Sequence, residues 1–239
     1  MTNVYLIGYG NWGKKVFKSL KKISKISKIH IKKSRLDNKQ IDLKSIDWVF
    51  ITTNTNQHYK LVEKYLKKKI NVFCEKPLTT NLFKSKKLFK LAKKNKCKLY
   101  VSDIENFKDI KLQFKKSNYI YRSKFSYNKT DILNRLAYHD FTYIYKKLKS
   151  KKIQKLYIQS RKRGFLSFNL IIDSKEFFFT YNLNSRKKIH TFNNTNLRVK
   201  KNILQKMISS FIFKKINFKK NMEIALFSNK IIESIKENY

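Results

Sequence analysis

Three of the four glycines in this 239-residue chain lie within six residues, in the segment GYGNWG at positions 8–13. The apolar residues 4–7 precede this segment, and residues 14–20 follow it with apolar side chains at helical spacing. In a strand-turn-helix unit this pattern permits a tight turn at Gly8, close approach of a pyrophosphate at Gly10 and close helix packing at Gly13. The segment, called the glycine turn below, therefore predicts a dinucleotide-binding site; an ordinary tight turn is the alternative.

The adenosine ribose is usually recognised about 20 residues beyond the glycines. Lys33, Ser34 and Arg35 occupy that window, and no carboxylate occurs there before Asp37. An acidic side chain would accept hydrogen bonds from the ribose hydroxyls of NAD, whereas Ser34 and Arg35 can hold the 2′-phosphate of NADP. We therefore favour NADP over NAD. Arg35 as a solvated surface cation is the alternative.

Strands and helices alternate through the first hundred residues. Hydrophobic spacing predicts strands at 28–33, 48–51, 70–73 and 98–102 and helices at 57–68 and 81–94. This alternation is typical of an α/β fold with a parallel sheet covered by helices on both faces. We predict a Rossmann-type dinucleotide-binding domain over residues 1–104.

The pattern changes after about residue 104. Extended stretches are predicted at 119–125, 156–159, 165–172 and 176–181, and helices at 131–148 and 219–234. Such stretches are typical of antiparallel strands. We predict that residues 105–239 form a second, compact α+β domain of mainly antiparallel sheet, which serves the substrate and self-association.

The chain is strongly basic, with a net charge of +42 from 57 Lys and Arg against 15 Asp and Glu. Such an excess is typical of proteins that bind polyanions. Only seven of these cations are arginine, however, and lysines occur along the whole chain, as an A+T-rich codon bias would produce. Because specific phosphate and base recognition favours the guanidinium group, we expect no specific nucleic-acid partner. A nucleic-acid or membrane-surface role is the alternative.

The two cysteines, Cys74 and Cys97, are too few for a disulfide framework and lack the spacing of metal ligands. We therefore expect a reducing compartment and no metal site. The sequence has no apolar run of about 18 residues and no basic leader with a cleavage site. We expect a cytoplasmic protein that does not interact with membranes.

Two further segments accompany the glycine turn: ITTNTNQHY at 51–59 and VFCEKPLTTN at 72–81, which contains the only proline, Pro77. In order and spacing, the three segments resemble the Gfo/Idh/MocA family of NAD(P)-dependent oxidoreductases over nearly all of the first hundred residues. The E-K-P sequence after a predicted strand is more specific than the glycines. The resemblance implies that Lys76 contacts the nicotinamide and the substrate, where its ammonium group stabilises developing negative charge. Glu75 is expected to position the loop beside the cofactor.

The same resemblance implies further cofactor contacts. Thr52, Thr53 and Thr55 match the family's T-P-N/T segment, although Asn54 replaces its proline. We add Asn11 and Trp12 of the glycine turn to the cofactor-binding residues. His58 matches a histidine at the start of a helix, which we interpret as structural.

The segment NRLAYHD at 134–140 resembles the first helix of the family's substrate domain. The resemblance implies that His139 is an acid or base, and an imidazole titrates in a suitable range. Arg135 stands where the family often has an aspartate, and Ala137 replaces a common glycine. We expect Arg135 to bind an anionic substrate such as a sugar carboxylate or a nucleotide-sugar phosphate. Decayed catalysis, with His139 only packing or meeting solvent, is the alternative.

These observations predict an NAD(P)-dependent oxidoreductase that acts on CH-OH groups. It would transfer a hydride between nicotinamide and a hydroxyl or carbonyl carbon of a small sugar or sugar derivative, including a nucleotide sugar of surface-polysaccharide synthesis. The alternative is a catalytically decayed dinucleotide-binding sensor or partner subunit. The second half is shorter than the family's usual substrate domain, so we leave open whether the chain forms a homo-oligomer.

Overall fold

The computed structural model describes residues 1–33, 41–127, 129–198, 202–214 and 216–238. The chain divides into two compact units, Met1–Phe107 with Asn202–Asn229 and Lys108–Lys201 with Lys230–Tyr239. We call them the first and second unit. The assignment of separate functions to residues 1–104 and 105–239 stays a prediction.

The first unit contains a five-stranded parallel sheet with the order β2-β1-β3-β4-β5. Its strands are β1 (Thr2–Ile7), β2 (Ile26–Lys32), β3 (Trp48–Ile51), β4 (Asn71–Cys74) and β5 (Leu99–Val101). The predicted Rossmann-type parallel sheet is confirmed. The central strand β3 is buried at every residue, which explains its continuous apolar sequence WVFI.

The helices of the described residues are α1 (Asn11–Lys21), α2 (Thr55–Lys67), α3 (Leu82–Lys94), α4 (Tyr138–Tyr145), α5 (Ile203–Phe213) and α6 (Phe218–Glu237). Both faces of the first sheet are covered. Val62 of α2 and Leu88 of α3 lie in the core on one face, and Val16 of α1 and Phe211 of α5 lie in the core on the other. The helices therefore hold the strand ends, where the candidate site lies, on a packed scaffold.

Helix α5 and residues 218–229 of α6 complete the first unit. No helix was predicted at 203–213, yet the ring of Phe211 in α5 stacks 4.5 Å from Tyr100 and 5.3 Å from Phe73. The amide of Asn221 in α6 bonds to both the N–H and the carbonyl of Val101, each at 2.9 Å. Because β5 is an edge strand, this amide satisfies backbone groups that a further strand would otherwise pair.

The second unit contains a mixed, mostly antiparallel sheet with the order β11-β10-β6-β9-β8-β7. Its strands are β6 (Ser117–Ser123), β7 (Ile153–Lys162), β8 (Phe165–Ile172), β9 (Lys175–Asn182), β10 (Ile189–Phe192) and β11 (Thr195–Asn196). The predicted mainly antiparallel sheet is confirmed. The exception is the pair β6 and β9, which is parallel because a helical crossover and two hairpin strands separate them in the chain.

The helix predicted at 131–148 differs from the structure. A π-helical turn, Leu133–Ala137, precedes the shorter α4. Every residue of α4 except His139 is buried. No helix among the described residues is both long and apolar enough to span a bilayer.

Candidate functional site

Packing within the protein requires two of the three glycines in the glycine turn. Gly8 has φ +94°, and a Cβ there would lie 2.9 Å from the backbone carbon of Thr52. A Cβ on Gly13 would lie 2.1 Å from the carbonyl oxygen of Gly8. Both contacts are with backbone atoms, so neither glycine can be replaced without moving the chain.

Gly10 differs from these two glycines. It has φ −70°, and a Cβ there would meet no atom within 4 Å among the described residues. Gly10 is the N-cap of α1 and provides no side-chain cap, so the first N–H groups of the helix face outward with the helix dipole behind them. This is the arrangement that binds a phosphate at a helix N-terminus.

Thr52 and Thr53 connect the end of β3 to the glycine turn. The Thr52 hydroxyl donates to the carbonyl of Gly8 at 2.6 Å and approaches that of Ile7 at 3.2 Å. It therefore fixes the turn rather than pointing to a ligand. The Thr53 hydroxyl oxygen is buried and has no hydrogen-bond partner among the described residues. Of the two predicted cofactor contacts, Thr53 has the side chain with unused hydrogen-bonding capacity.

A cavity of about 690 Å³ opens at the carboxyl ends of β1 and β3. The strand order reverses between these two strands, where open α/β sheets bind their ligands. The cavity volume lies within the usual range for ligand sites, about 300–1,000 Å³. Its lining includes the predicted residues Gly8, Gly10, Thr52 and Thr53. The predicted residues Asn11, Trp12, Gly13, Thr55, Glu75 and Lys76 are not part of its described lining.

Four lysines also line the cavity. Lys32 ends β2 and Lys33 follows it, and Lys60 and Lys64 lie one turn apart on α2. Lys60 and Lys64 were not predicted, although their spacing on a predicted helix places them on one face. Ser34 and Arg35, predicted to recognise a 2′-phosphate, lie outside the described residues.

Glu75 follows β4 and is buried, with 9% of its surface exposed. Its N–H donates to the carbonyl of Ile51 at 2.9 Å, which places it beside the end of β3. Burial raises the pKa of the Glu75 carboxyl, although the nearby Trp12 indole, Ser102 hydroxyl and Lys76 ammonium act in the opposite direction. The buried Glu75 therefore lies among polar groups at the end of β4, next to the E-K-P loop.

His58 of α2 lies between two backbone carbonyl oxygens. Its Nδ1 is 2.8 Å from the oxygen of Pro77, and its Nε2 is 3.0 Å from the oxygen of Thr53. The ring is 1% exposed, and burial lowers its pKa below the ordinary histidine value. His58 therefore links the loop after β3 to the loop after β4, in agreement with its interpretation as structural.

The second unit contains Arg135, in the π-helical turn, and His139, the second residue of α4. His139 is half-buried. The neighbouring Asp140 is 1% exposed and forms a buried ion pair that was not predicted. Its Oδ1 lies 2.6 Å from Nε2 of His190 and 3.6 Å from Nη1 of Arg122. Burial opposes ionisation of Asp140, but these two partners outweigh it and lower its pKa. No local spacing signals the contact between Asp140 and His190, because 50 residues separate them.

Comparisons with known proteins agree with this geometry. Residues 2–103 match the family model described as an oxidoreductase family with an NAD-binding Rossmann fold, Gfo/Idh/MocA. A comparison with curated protein sequences gave no match.

Several solved structures share the fold of the whole chain. One is a UDP-N-acetylglucosamine 3-dehydrogenase from Acidithiobacillus ferrooxidans, with TM-score 0.78 and 14% identity, covering 98% of this chain and 96% of that one. A myo-inositol dehydrogenase from Corynebacterium glutamicum gives TM-score 0.73 and 11% identity, covering 98% and 96%. A Gfo/Idh/MocA family oxidoreductase from Vibrio cholerae gives TM-score 0.74 and 13% identity, covering 100% and 99%. At these identities the likeness concerns the fold alone. Residues 2–103 thus match the NAD-binding Rossmann fold of the Gfo/Idh/MocA oxidoreductase family, and the chain as a whole shares the fold of these structures.

Proposed function

We propose that this protein is an NAD(P)-dependent oxidoreductase that transfers a hydride between nicotinamide and a hydroxyl or carbonyl carbon of a sugar or sugar derivative. The observation that carries the proposal is the contrast within the glycine turn. Packing inside the protein requires Gly8 and Gly13, whereas nothing within 4 Å of a Cβ requires glycine at position 10. A pyrophosphate lying against the start of α1 would explain the glycine at position 10, because a side chain there would obstruct its approach.

The residues around the turn fit a dinucleotide. The outward N–H groups of α1 would hold the pyrophosphate, and the unpartnered Thr53 hydroxyl offers a further hydrogen bond. We keep the preference for NADP, because Lys32, Lys33, Lys60 and Lys64 line the cavity and favour an additional phosphate. When bound, nicotinamide supplies or accepts the hydride.

We assign the polarising role to Lys76. Its ammonium lies near the buried Glu75 carboxyl, and its backbone N–H donates to Glu75 Oε2 at 3.3 Å. A lysine ammonium beside the substrate oxygen stabilises the negative charge on that oxygen as the C–H bond breaks or forms. We assign the proton exchange to His139 and a substrate contact to Arg135, both from the family resemblance.

The substrate class rests on relatives of low identity. Two proteins with this fold are named as dehydrogenases of a UDP-linked amino sugar and of myo-inositol. We infer a small polyhydroxylated substrate and propose the cytoplasm as its compartment, since both cysteines are free. Tyr119 and Tyr157, on strands of the second sheet, are 57% and 51% exposed and support the proposal of a homo-oligomer.

A turnover assay tests this proposal. The full chain is incubated with NAD⁺ or NADP⁺ and a panel of sugars, inositols and nucleotide sugars, and the reduced nicotinamide is followed by absorbance. We expect turnover with at least one member and a loss of about 100-fold or more in kcat for Lys76→Gln. Cofactor binding without Lys76-dependent turnover would support the second candidate, a sensor or partner subunit, which the arginine at position 135 favours.

A further inference from the structure

A second cavity is lined by residues of the second unit alone. Residues 129–133, residues 161–165 around the turn between β7 and β8, and Lys236 of α6 form its lining. We call it the hairpin cavity. Its volume of about 670 Å³ is in the usual range for ligand sites. Among the described residues, it shares no lining residue with the cavity at the glycine turn.

Cations are concentrated in the lining of the hairpin cavity. Lysine and arginine provide five of its eleven lining residues, whereas they provide 57 of the 239 residues of the chain. These five are Lys129, Arg161, Lys162, Arg163 and Lys236. Asp131 is the only acidic residue in the described lining, and its Oδ1 accepts a hydrogen bond from the Asn134 amide at 2.6 Å. The hairpin cavity therefore favours an anionic ligand.

Arginine is rare in this chain, and two arginines of the hairpin cavity form its closest pair. Arg161 and Arg163 are two residues apart, whereas no other two of the seven arginines are closer than 12 residues. An excess of lysine along the whole chain does not account for such a pair. Guanidinium groups suit phosphoryl oxygens, because their planar fork forms two parallel hydrogen bonds with them.

Gly164, the only glycine outside the glycine turn, lies in the turn that carries these arginines. Its φ is +77°, and its carbonyl accepts a hydrogen bond from the N–H of Leu183 at 2.6 Å. The carbonyl of Arg163 accepts a second hydrogen bond, from the Asn184 amide at 3.1 Å. These bonds hold the backbone of the turn in one conformation, which reduces the cost of ordering it when a ligand binds.

The same glycine allows Lys129 to approach the turn. A Cβ added to Gly164 would lie 3.1 Å from Cδ of Lys129, so the alkyl chain of this half-buried lysine packs against the turn. Lys129, Arg163 and Lys236 thus bring cations to the hairpin cavity from three separate segments of the chain.

We propose that the hairpin cavity binds a small molecule with two or more phosphoryl groups, held by Lys129, Arg163 and Lys236. Cations on three segments around a cavity of ligand size match several phosphoryl groups better than a single one. The apolar side chains of Leu133 and Phe165 also line the cavity, and they strengthen these charge interactions by excluding water. This site does not rest on the proposed function.

Calorimetric titration of the full chain at moderate salt tests the proposal with inorganic pyrophosphate and, separately, with citrate, a polyanion without phosphoryl groups. All titrations use the Gly10→Glu background, which places a carboxylate at the glycine turn and opposes anion binding there. We expect one pyrophosphate per chain and a loss of affinity of about tenfold or more in Arg163→Gln. The matched control Arg186→Gln removes the same charge from an exposed position outside the lining and should change affinity less than about twofold.

Gly164→Ala provides a test that changes no charge. Its Cβ would meet the side-chain ends of Asn184 and Lys129, which can move, so we expect the fold to be retained and Lys129 to be displaced. Pyrophosphate binding should weaken by about threefold or more, whereas general attraction to a basic surface would leave it unchanged. Circular dichroism verifies the fold of this variant; if it fails to fold, the comparison of Arg163→Gln with Arg186→Gln decides.

Equal pyrophosphate affinity in Arg163→Gln and Arg186→Gln, or citrate binding as tight as pyrophosphate binding, would overturn the proposal. The result is separable from the proposed function. If Gly10→Glu abolishes NAD(P)H binding while Arg163→Gln leaves pyrophosphate binding unchanged, the cofactor assignment stands and the hairpin cavity is not a phosphoryl site. The opposite pair of results reverses both conclusions.

Discussion

Replacing Gly13 by alanine tests whether packing within the protein fixes the glycine turn. The added Cβ would lie 2.1 Å from the Gly8 carbonyl oxygen and 2.9 Å from the Thr52 hydroxyl oxygen. The carbonyl is a backbone group that Thr52 already holds by a 2.6 Å hydrogen bond, so it cannot rotate away. Overpacking costs about 1–3 kcal/mol when side chains can adjust. Here the backbone itself must move, so we expect Gly13→Ala to lower the free energy of unfolding by at least about 3 kcal/mol.

Gly10→Ala is the matched control, with the same change three residues earlier. Its Cβ would meet nothing within 4 Å, and φ is already −70°. Alanine reduces the entropy of the unfolded chain, which stabilises the folded protein by about 0.4–1 kcal/mol. Alanine is also a poorer N-cap than glycine, and this loss offsets a similar amount of that stabilisation. We expect a net change within about 1 kcal/mol, measured by urea unfolding followed by circular dichroism. Equal destabilisation in the two variants would refute the packing argument.

Three further predictions concern buried polar groups and the proposed catalytic lysine. Asp140 has a lowered pKa, so its ionised form stabilises the fold above the ordinary aspartate pKa, and this stabilisation should be lost as pH falls through the lowered pKa of the folded state. Asp140→Asn should remove most of that acid dependence and cost about 3 kcal/mol or more at pH 7, as measured by urea unfolding across pH. His58→Ala should leave a buried carbonyl unsatisfied and cost about 1–3 kcal/mol, with His58→Gln costing less because its amide can donate. Lys76→Gln should leave NAD(P)H affinity within about threefold in a fluorescence titration while reducing kcat, because the lysine acts mainly on the substrate oxygen in the transition state.

The sequence was sufficient for the first sheet and the central part of its site. Strands such as WVFI at 48–51 are buried on both faces, and their continuous apolar pattern is distinct from the helical spacing that follows. The glycine turn was predictable because steric limits at Gly8 and Gly13 act within a few residues or on the adjacent strand.

Features that depend on distant parts of the chain were not predicted. The strand β10 is only four residues long, too short to show a clear period, and its His190 meets Asp140 from 50 residues away. The parallel pairing of β6 with β9 depends on the crossover between them rather than on either sequence. The helix α5 is a different case, since Met207, Ile208 and Phe211 have helical spacing and are all buried.

The measurement that tests the central claim most directly is a fluorescence titration of the full chain with NADPH and, separately, NADH at moderate salt. Gly10→Glu places a carboxylate where the pyrophosphate is expected, and Lys94→Gln, at an exposed position in α3, changes the net charge equally. We predict saturable binding, tighter for NADPH, that is retained in Lys94→Gln and weakened by about 100-fold or more in Gly10→Glu. Binding of equal strength in the wild type and Gly10→Glu would contradict the assignment of the glycine turn as the cofactor site.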